Sequence, residues 1–277
     1  MNTIFIISRL TFREAARRKI LLAAFLLGLV FLVIFGIGLY YVNRDLSQSV
    51  SVTLARSEIR NFLLMAGLYV VNFLTIMMAV LTSVDTLSGE IASGTIHTLV
   101  SKPVRRREIV LGKWLGFVGM LTLYLLLMAG GVMGLVYLIA GYTAPNWLSG
   151  LVILWLNGVL LLSVSLLGGA MLSTLANGVM VFGLYGVAFI GGWVEQIGSF
   201  LKNQTAISIG IISSLIIPSE ALWKRVAHDM QSPIVKAMGF SPFSAPSVPS
   251  PMMLWYGVFY TLLALALAIR QFEKRDL

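Results

Sequence analysis

Residues 85–113 read DTLSGEIASGTIHTLVSKPVRRREIVLGK. This stretch separates two long apolar runs and carries what they lack. Asp85 and Glu90 stand at its front, Gly, Ser and Pro in its middle, and Arg105, Arg106 and Arg107 towards its end. Three consecutive guanidinium groups are not tolerated in a bilayer interior but are attracted to an anionic cytoplasmic leaflet. The stretch therefore reads as a cytoplasmic segment joining two membrane spans, open to a soluble partner.

The composition around it agrees. The 277 residues are 58% hydrophobic and 11% charged, against about 25% charged in an average soluble domain, so the chain is placed in the bilayer. Its net charge of +9 is spread in short clusters beside apolar runs. That pattern sets membrane topology and argues against a nucleic-acid partner. With no cysteine, disulfides, thiolate metal sites and cysteine nucleophiles are excluded.

Residues 1–19 form a basic helix with Arg9, Arg13 and Arg17 at four-residue spacing on one face, suited to the membrane interface or to anchoring the first span. Uncharged runs then predict spans at 20–42 and 61–84, with a mixed-sign polar loop over 43–60 between them. The first run is too long for the apolar region of a cleaved signal peptide. After Lys113 no charge appears until Glu195, which is too long for one crossing at about 20 residues. Turn residues at 141–146 and 173–178 divide it into spans at 112–141, 147–172 and 178–197, and a last span runs over 252–269. Residues 85–111 are the cytoplasmic segment, and 199–251 are an outer segment. In that outer segment a short apolar run ending at Pro218 is expected to be re-entrant or interfacial, and an amphipathic helix follows it.

Charge orients this plan. With both termini and 85–113 inside, 13 of the 20 basic residues face the cytoplasm and seven face out. A seventh span over 199–217 would send the basic C-terminus outside and is disfavoured. The fold class is an all-α polytopic membrane protein with six transmembrane helices and both termini cytoplasmic. It has an N-terminal interfacial helix, a cytoplasmic coupling helix between spans 2 and 3, and an outer re-entrant or amphipathic segment between spans 5 and 6.

Catalytic chemistry is sparse. Gly89-Glu90-Ile91-Ala92-Ser93-Gly94-Thr95 echoes the glycine spacing of a phosphate-binding loop but lacks its lysine. Any ATP hydrolysis therefore belongs to another polypeptide. His97 and His228 fall on opposite sides of the membrane in this plan and share no metal. Ionisable groups are missing from the span centres, which weighs against ion-coupled transport. Glu195 is expected as an interface carboxylate, with Asp85 and Lys113 at headgroup depth. Asn72, Asn157, Ser163, Ser165 and Tyr185 are expected mainly to join helices. Gly112-xxx-Gly116 and Gly130-xxx-Gly134 allow close helix approach, within the subunit or between two subunits. Asn203-Gln204-Thr205 fits the glycosylation pattern only formally.

The stretch SGEIASGTIHTLVSKPVRRREIVLGKWLG resembles the segment between spans two and three of ABC-2-type ATP-binding-cassette transporter permeases. Ser88-Gly89-Glu90, Gly94-Thr95, Leu99, Ser101 to Val104, Arg106 to Ile109 and Gly112-Lys113 carry the likeness. The six-span plan and the charged tail ALALAIRQFEKRDL support it. The chain departs at Ala92 and His97, where such permeases often have acidic residues. The resemblance implies a membrane-spanning subunit, an exporter of the cell membrane, that binds no cofactor itself. It implies a dimer with a second permease copy or paralogue, and recruitment of ABC ATPase subunits that hold ATP and Mg. The coupling interface with the ATPase would comprise Ser88, Gly89, Glu90, Gly94, Thr95, Leu99, Pro103, Arg105, Arg106 and Arg107. A secondary transporter and a non-transporting membrane scaffold are the alternatives.

Overall fold

The computed structural model describes residues 3–48, 53–94, 104–232 and 247–275. In a bilayer every backbone polar group must be satisfied within the chain, and the apolar runs accordingly form helices. After the short α1 (Thr3–Ala16) come α2 (Lys19–Gln48), α3 (Thr53–Ser83) and the five-residue α4 (Ser88–Ala92). They are followed by α5 (Arg106–Ala140), α6 (Trp147–Met171), α7 (Thr174–Phe200), α8 (Gln204–Ile216), α9 (Ser219–Met230) and α10 (Met252–Lys274). Six of them, α2, α3, α5, α6, α7 and α10, are long and apolar enough to cross a membrane.

The helices overrun the apolar runs that announce them. The polar loop expected over 43–60 is largely helical, since α2 continues to Gln48 and α3 begins at Thr53. That stretch contains no Gly or Pro to stop a helix. Its polar groups bond laterally instead: Asn43 Nδ2 donates to the Ile139 carbonyl at 2.9 Å and Arg60 Nε to Asn43 Oδ1 at 3.1 Å. Likewise α7 starts at Thr174, because Ser173 caps it by accepting from the Ala176 N–H at 3.5 Å. The break expected over 173–178 is thus confined to Leu172 and Ser173.

α6 is the centre of the bundle. All ten residues from Asn157 to Leu166 are buried, the signature of a helix surrounded by protein on every side. α3, α5, α7, α9 and α10 pack around it. Neutral polar groups join these helices, as expected of the asparagines and serines. Asn157 Nδ2 donates to Asn72 Oδ1 at 3.0 Å, Ser83 Oγ to Ser165 Oγ at 2.8 Å, and Trp114 Nε1 to Ser163 Oγ at 2.9 Å. α2 is peripheral, leaving Leu22, Leu26, Leu29, Val33 and Ile37 more than half exposed along one side.

The two Gly-xxx-Gly pairs of α5 behave differently. A Cβ on Gly116 would stand 2.7 Å from the Ser8 carbonyl, and one on Gly112 would stand 2.6 Å from Ile7 Cβ. This pair is the seat of α1, whose Ile7 and Thr11 are buried against it. Arg9, Arg13 and Arg17 stay exposed. Gly130 and Gly134 have nothing within 4 Å of a Cβ position and open instead on a groove beside Leu32, Gly36 and Tyr40 of α2.

α1, the 85–94 segment, the starts of α5 and α7 and the ends of α6 and α10 meet at one end of the bundle, here the near end. At the far end α8, 13 residues and about 20 Å long at about 1.5 Å per residue, returns along α7. It falls short of a hydrocarbon core of about 30 Å. The chain then bends by 107° into α9, which lies across the far end against α6 and α7. Asn203, the formal glycosylation site, serves as the N-cap of α8, its Oδ1 accepting from the Thr205 and Ala206 N–H groups at 3.0 and 3.2 Å.

Candidate functional site

The near-end site begins where α3 stops. The Gly89 N–H donates to the Asp85 carbonyl at 2.9 Å and the Ile91 N–H to that of Leu87 at 3.0 Å, which turns the chain through Leu87 into α4. A side chain on Gly89 would collide with the Asp85 carboxylate. Gly94, at φ +72°, ends the described part of the segment in the left-handed region that glycine occupies without strain.

Glu90 points back into the protein and pairs with Lys113, two turns inside α5. The side chains are only 18% and 5% exposed, so both charges are largely withdrawn from water. Thr11, Glu14 and Ala15 of α1 and Arg18 just beyond it, with Thr86 and Phe117, enclose the pair. Glu90 Oε2 is buried without a hydrogen-bond partner among the described residues. Arg18 extends the ionic contacts, standing 2.9 Å from Glu14 Oε1 and 3.5 Å from Asp85 Oδ2.

α7 holds the other flank of the segment. Ser88 Oγ and Thr174 Oγ1 are 2.8 Å apart, and Thr174 Oγ1 donates to Asp85 Oδ1 at 3.2 Å. Asn177 Nδ2 spans two elements, donating to the Val84 carbonyl at 3.0 Å and the Ser165 carbonyl at 2.9 Å. α4 and the turn before it are thus tied to α5 by an ion pair and to α7 by hydroxyl contacts, with α1 packed over them.

The arginine run divides. Arg106 turns inward, donating to the Glu273 and Arg275 carbonyls at 3.1 and 2.5 Å, and Arg275 donates to the Ala170 carbonyl at 2.8 Å. These bonds satisfy carbonyls that the ends of α10 and α6 leave unpaired. Arg105 and Arg107 are exposed, as are Ala92 and Ser93. Ser88, Gly89, Glu90 and Gly94 are therefore gathered at α4. Thr95, Leu99 and Pro103 lie outside the described residues, as does His97. Sequence reasoning passed over Lys113, Arg18 and Thr174 as partners. The one available signal was Lys113 itself, a lysine past the charged first turn of a helix that is otherwise free of charge.

Glu195 requires a correction. It is not an interface carboxylate: it is 2% exposed, and Lys224 Nζ of α9 donates to its Oε2 at 2.6 Å. α8 and α9 fold back over that end of α7, which the linear chain leaves at the membrane surface. Glu220, 8% exposed, lies beside Gly192 of α7, and burial pushes its carboxyl up to about 7, against the opposing effect of Lys224. Among the described residues no group of His, Cys, Asp or Glu can hold a metal ion.

No curated protein matches this sequence significantly. The family model described as ABC-2 family transporter protein matches residues 5–277. That match takes in α4, the Glu90–Lys113 pair and all six long helices, and the chain belongs to the ABC-2 family of transporter proteins.

Proposed function

We propose that this multi-pass permease is an exporter of the cell membrane. Its near end faces the cytoplasm, and residues 85–113 receive the stroke of a separate ABC ATPase subunit that carries ATP and Mg. The observation that carries the reading is the enclosed Glu90–Lys113 pair. A soluble motor can shift a membrane conformational equilibrium only through a differential contact with an element rigidly joined to the spans. α4 offers such a joint, with an ionic tie to α5 and hydroxyl ties to α7 beneath exposed Ala92 and Ser93. The segment after Gly94, with Thr95, Leu99 and Pro103, is assigned to the same contact, and exposed Arg105 and Arg107 form its basic border.

The transport path is assigned to the boundary between two such chains, copies or paralogues. The middle of a single bundle is filled by α6, whose Asn157 and Ser165 bond to Asn72 and Ser83 of α3. The re-entrant reading of 199–217 belongs to the same proposal, with α8 and α9 on the outer face.

A Ser93→Cys variant in this cysteine-free chain tests the reading. The thiol is expected to react with an impermeant reagent only from the cytoplasmic side, and to be protected when the ATPase subunit is co-expressed and ATP is withheld. Labelling from the exterior would refute it.

A further inference from the structure

α7 and α8 pack against each other as a close helical pair. A Cβ on Gly210 of α8 would stand 2.6 Å from the Gly191 carbonyl and 3.1 Å from Glu195 Cα, so the two backbones touch without intervening side chains. α9 leaves this unit at the 107° bend beside Pro218. Its other end is held by α3, where the Met230 carbonyl accepts from Asn61 Nδ2 at 3.0 Å, and between the two ends the Trp223 ring lies 5.0 Å from that of Tyr69, tilted by 55°. α9 is thus a strap across the far end, hinged at α8. Its ion pair to the α7–α8 unit is Lys224 to Glu195, with Glu195 also accepting from Ser247.

Two features set this pair apart from a static brace. First, Glu220 precedes Lys224 by four residues on α9, the helical spacing and order at which a glutamate pairs well with a lysine. Lys224 therefore has a second partner that travels with it. Second, a cavity of about 190 Å³ adjoins the pair, lined by Glu195, Ser214, Lys224, Ser247 and Met253. In it Ser214 is 4% exposed and its Oγ has no hydrogen-bond partner among the described residues. The cavity leaves open space beside the Glu195 end of the pair.

We propose that Glu195, Lys224 and Glu220 form a partner-exchange latch on the far end of the bundle. With Lys224 on Glu195, α9 is tied to α7 and that end is shut. When Lys224 passes to Glu220, α9 carries its own neutralised pair and turns about Pro218, and water enters beside Ser214. Ser247 remains on Glu195 and partly replaces the departed ammonium. The exchange keeps the lysine charge paired in both positions, while the Glu195 carboxylate keeps Ser247 and is hydrated by the entering water. The latch rests on the transporter reading only in that an opening far end serves transport.

The test is made on open membrane fragments containing the full chain without an ATPase, so it stands or falls apart from the motor reading. Ser214→Cys supplies the only thiol, and its rate of reaction with a small water-soluble thiol reagent reports opening. Glu195→Gln releases Lys224 to Glu220 and should speed labelling at least about tenfold, the scale expected for loss of a buried charge partner. Adding Glu220→Gln removes the open-state partner and should bring the rate back towards that of the parent, an outcome a loosened fold cannot produce. Unchanged labelling in Glu195→Gln, or a further rise in the double variant, would overturn the latch.

Discussion

Lys113 donates from inside α5 to the Glu90 carboxylate of α4, and the end of α1 closes over both. The two charges are 23 residues apart in the chain, yet they define the joint between a surface segment and the membrane helices. Their burial is unequal, 5% for the lysine side chain and 18% for the glutamate, and this inequality yields the first expectation.

Glu90→Gln strands an ammonium with almost no access to water and should cost about 3–5 kcal/mol. Lys113→Met leaves a carboxylate nearer the surface and should cost less, about 1–3 kcal/mol. The double variant should be less damaging than the sum of the two. Unfolding in detergent across this double-mutant cycle measures all three values, and ATP-driven transport should fall in each single variant.

Gly116→Val should undock α1. The Cβ position already crowds the Ser8 carbonyl at 2.7 Å and Thr11 Cβ at 2.9 Å, so the larger side chain is expected to cost about 1–3 kcal/mol and to speed proteolysis after Arg13 and Arg17. Gly134→Ala, with nothing within 4 Å of its Cβ, should leave protection unchanged and gain up to about 1 kcal/mol from helix propensity.

Asn177→Leu removes both donations, to Val84 at 3.0 Å and Ser165 at 2.9 Å, at a buried position. A loss of about 1–3 kcal/mol is expected for the two hydrogen bonds removed. Hydrogen exchange should rise locally at residues 84–92, with little change at the far end of the bundle.

Glu220 makes stability depend on pH in a defined direction. Its carboxyl is raised from 4.5 to about 7, chiefly by burial and further by Glu195, while Lys224 opposes the rise. Tyr69 of α3 and Tyr185 of α7 also face it. The folded chain then binds more protons than the unfolded one between pH 4.5 and about 7. Stability contributed by this group is present below 4.5, declines as pH rises through that window, and is lost above about 7. Melting temperature measured from pH 5 to 8 should fall more steeply for the parent than for Glu220→Gln; parallel curves would contradict the assignment.

Much of the near-end site was legible before folding. Ser88, Gly89, Glu90 and Gly94 stood in one short polar stretch, and local turn bonds keep them together. Arg105, Arg106 and Arg107 also stood together, but alternate side chains on a helix start point apart. Arg106 met the end of α10 and its neighbours remained outside. That separation depends on where a helix 167 residues away comes to rest.

By itself the sequence determined the six helices long and apolar enough to cross a membrane and the polar segment after the second, because the cost of charge in hydrocarbon and the need to satisfy the backbone internally act on each stretch without reference to the rest. Tertiary structure alone decided that Lys113 and Glu195 are buried, that Gly112 and Gly116 receive α1, and that α9 crosses the far end. Each of these depends on a partner distant in sequence, and whether a charge is solvated or paired is settled only when that partner arrives.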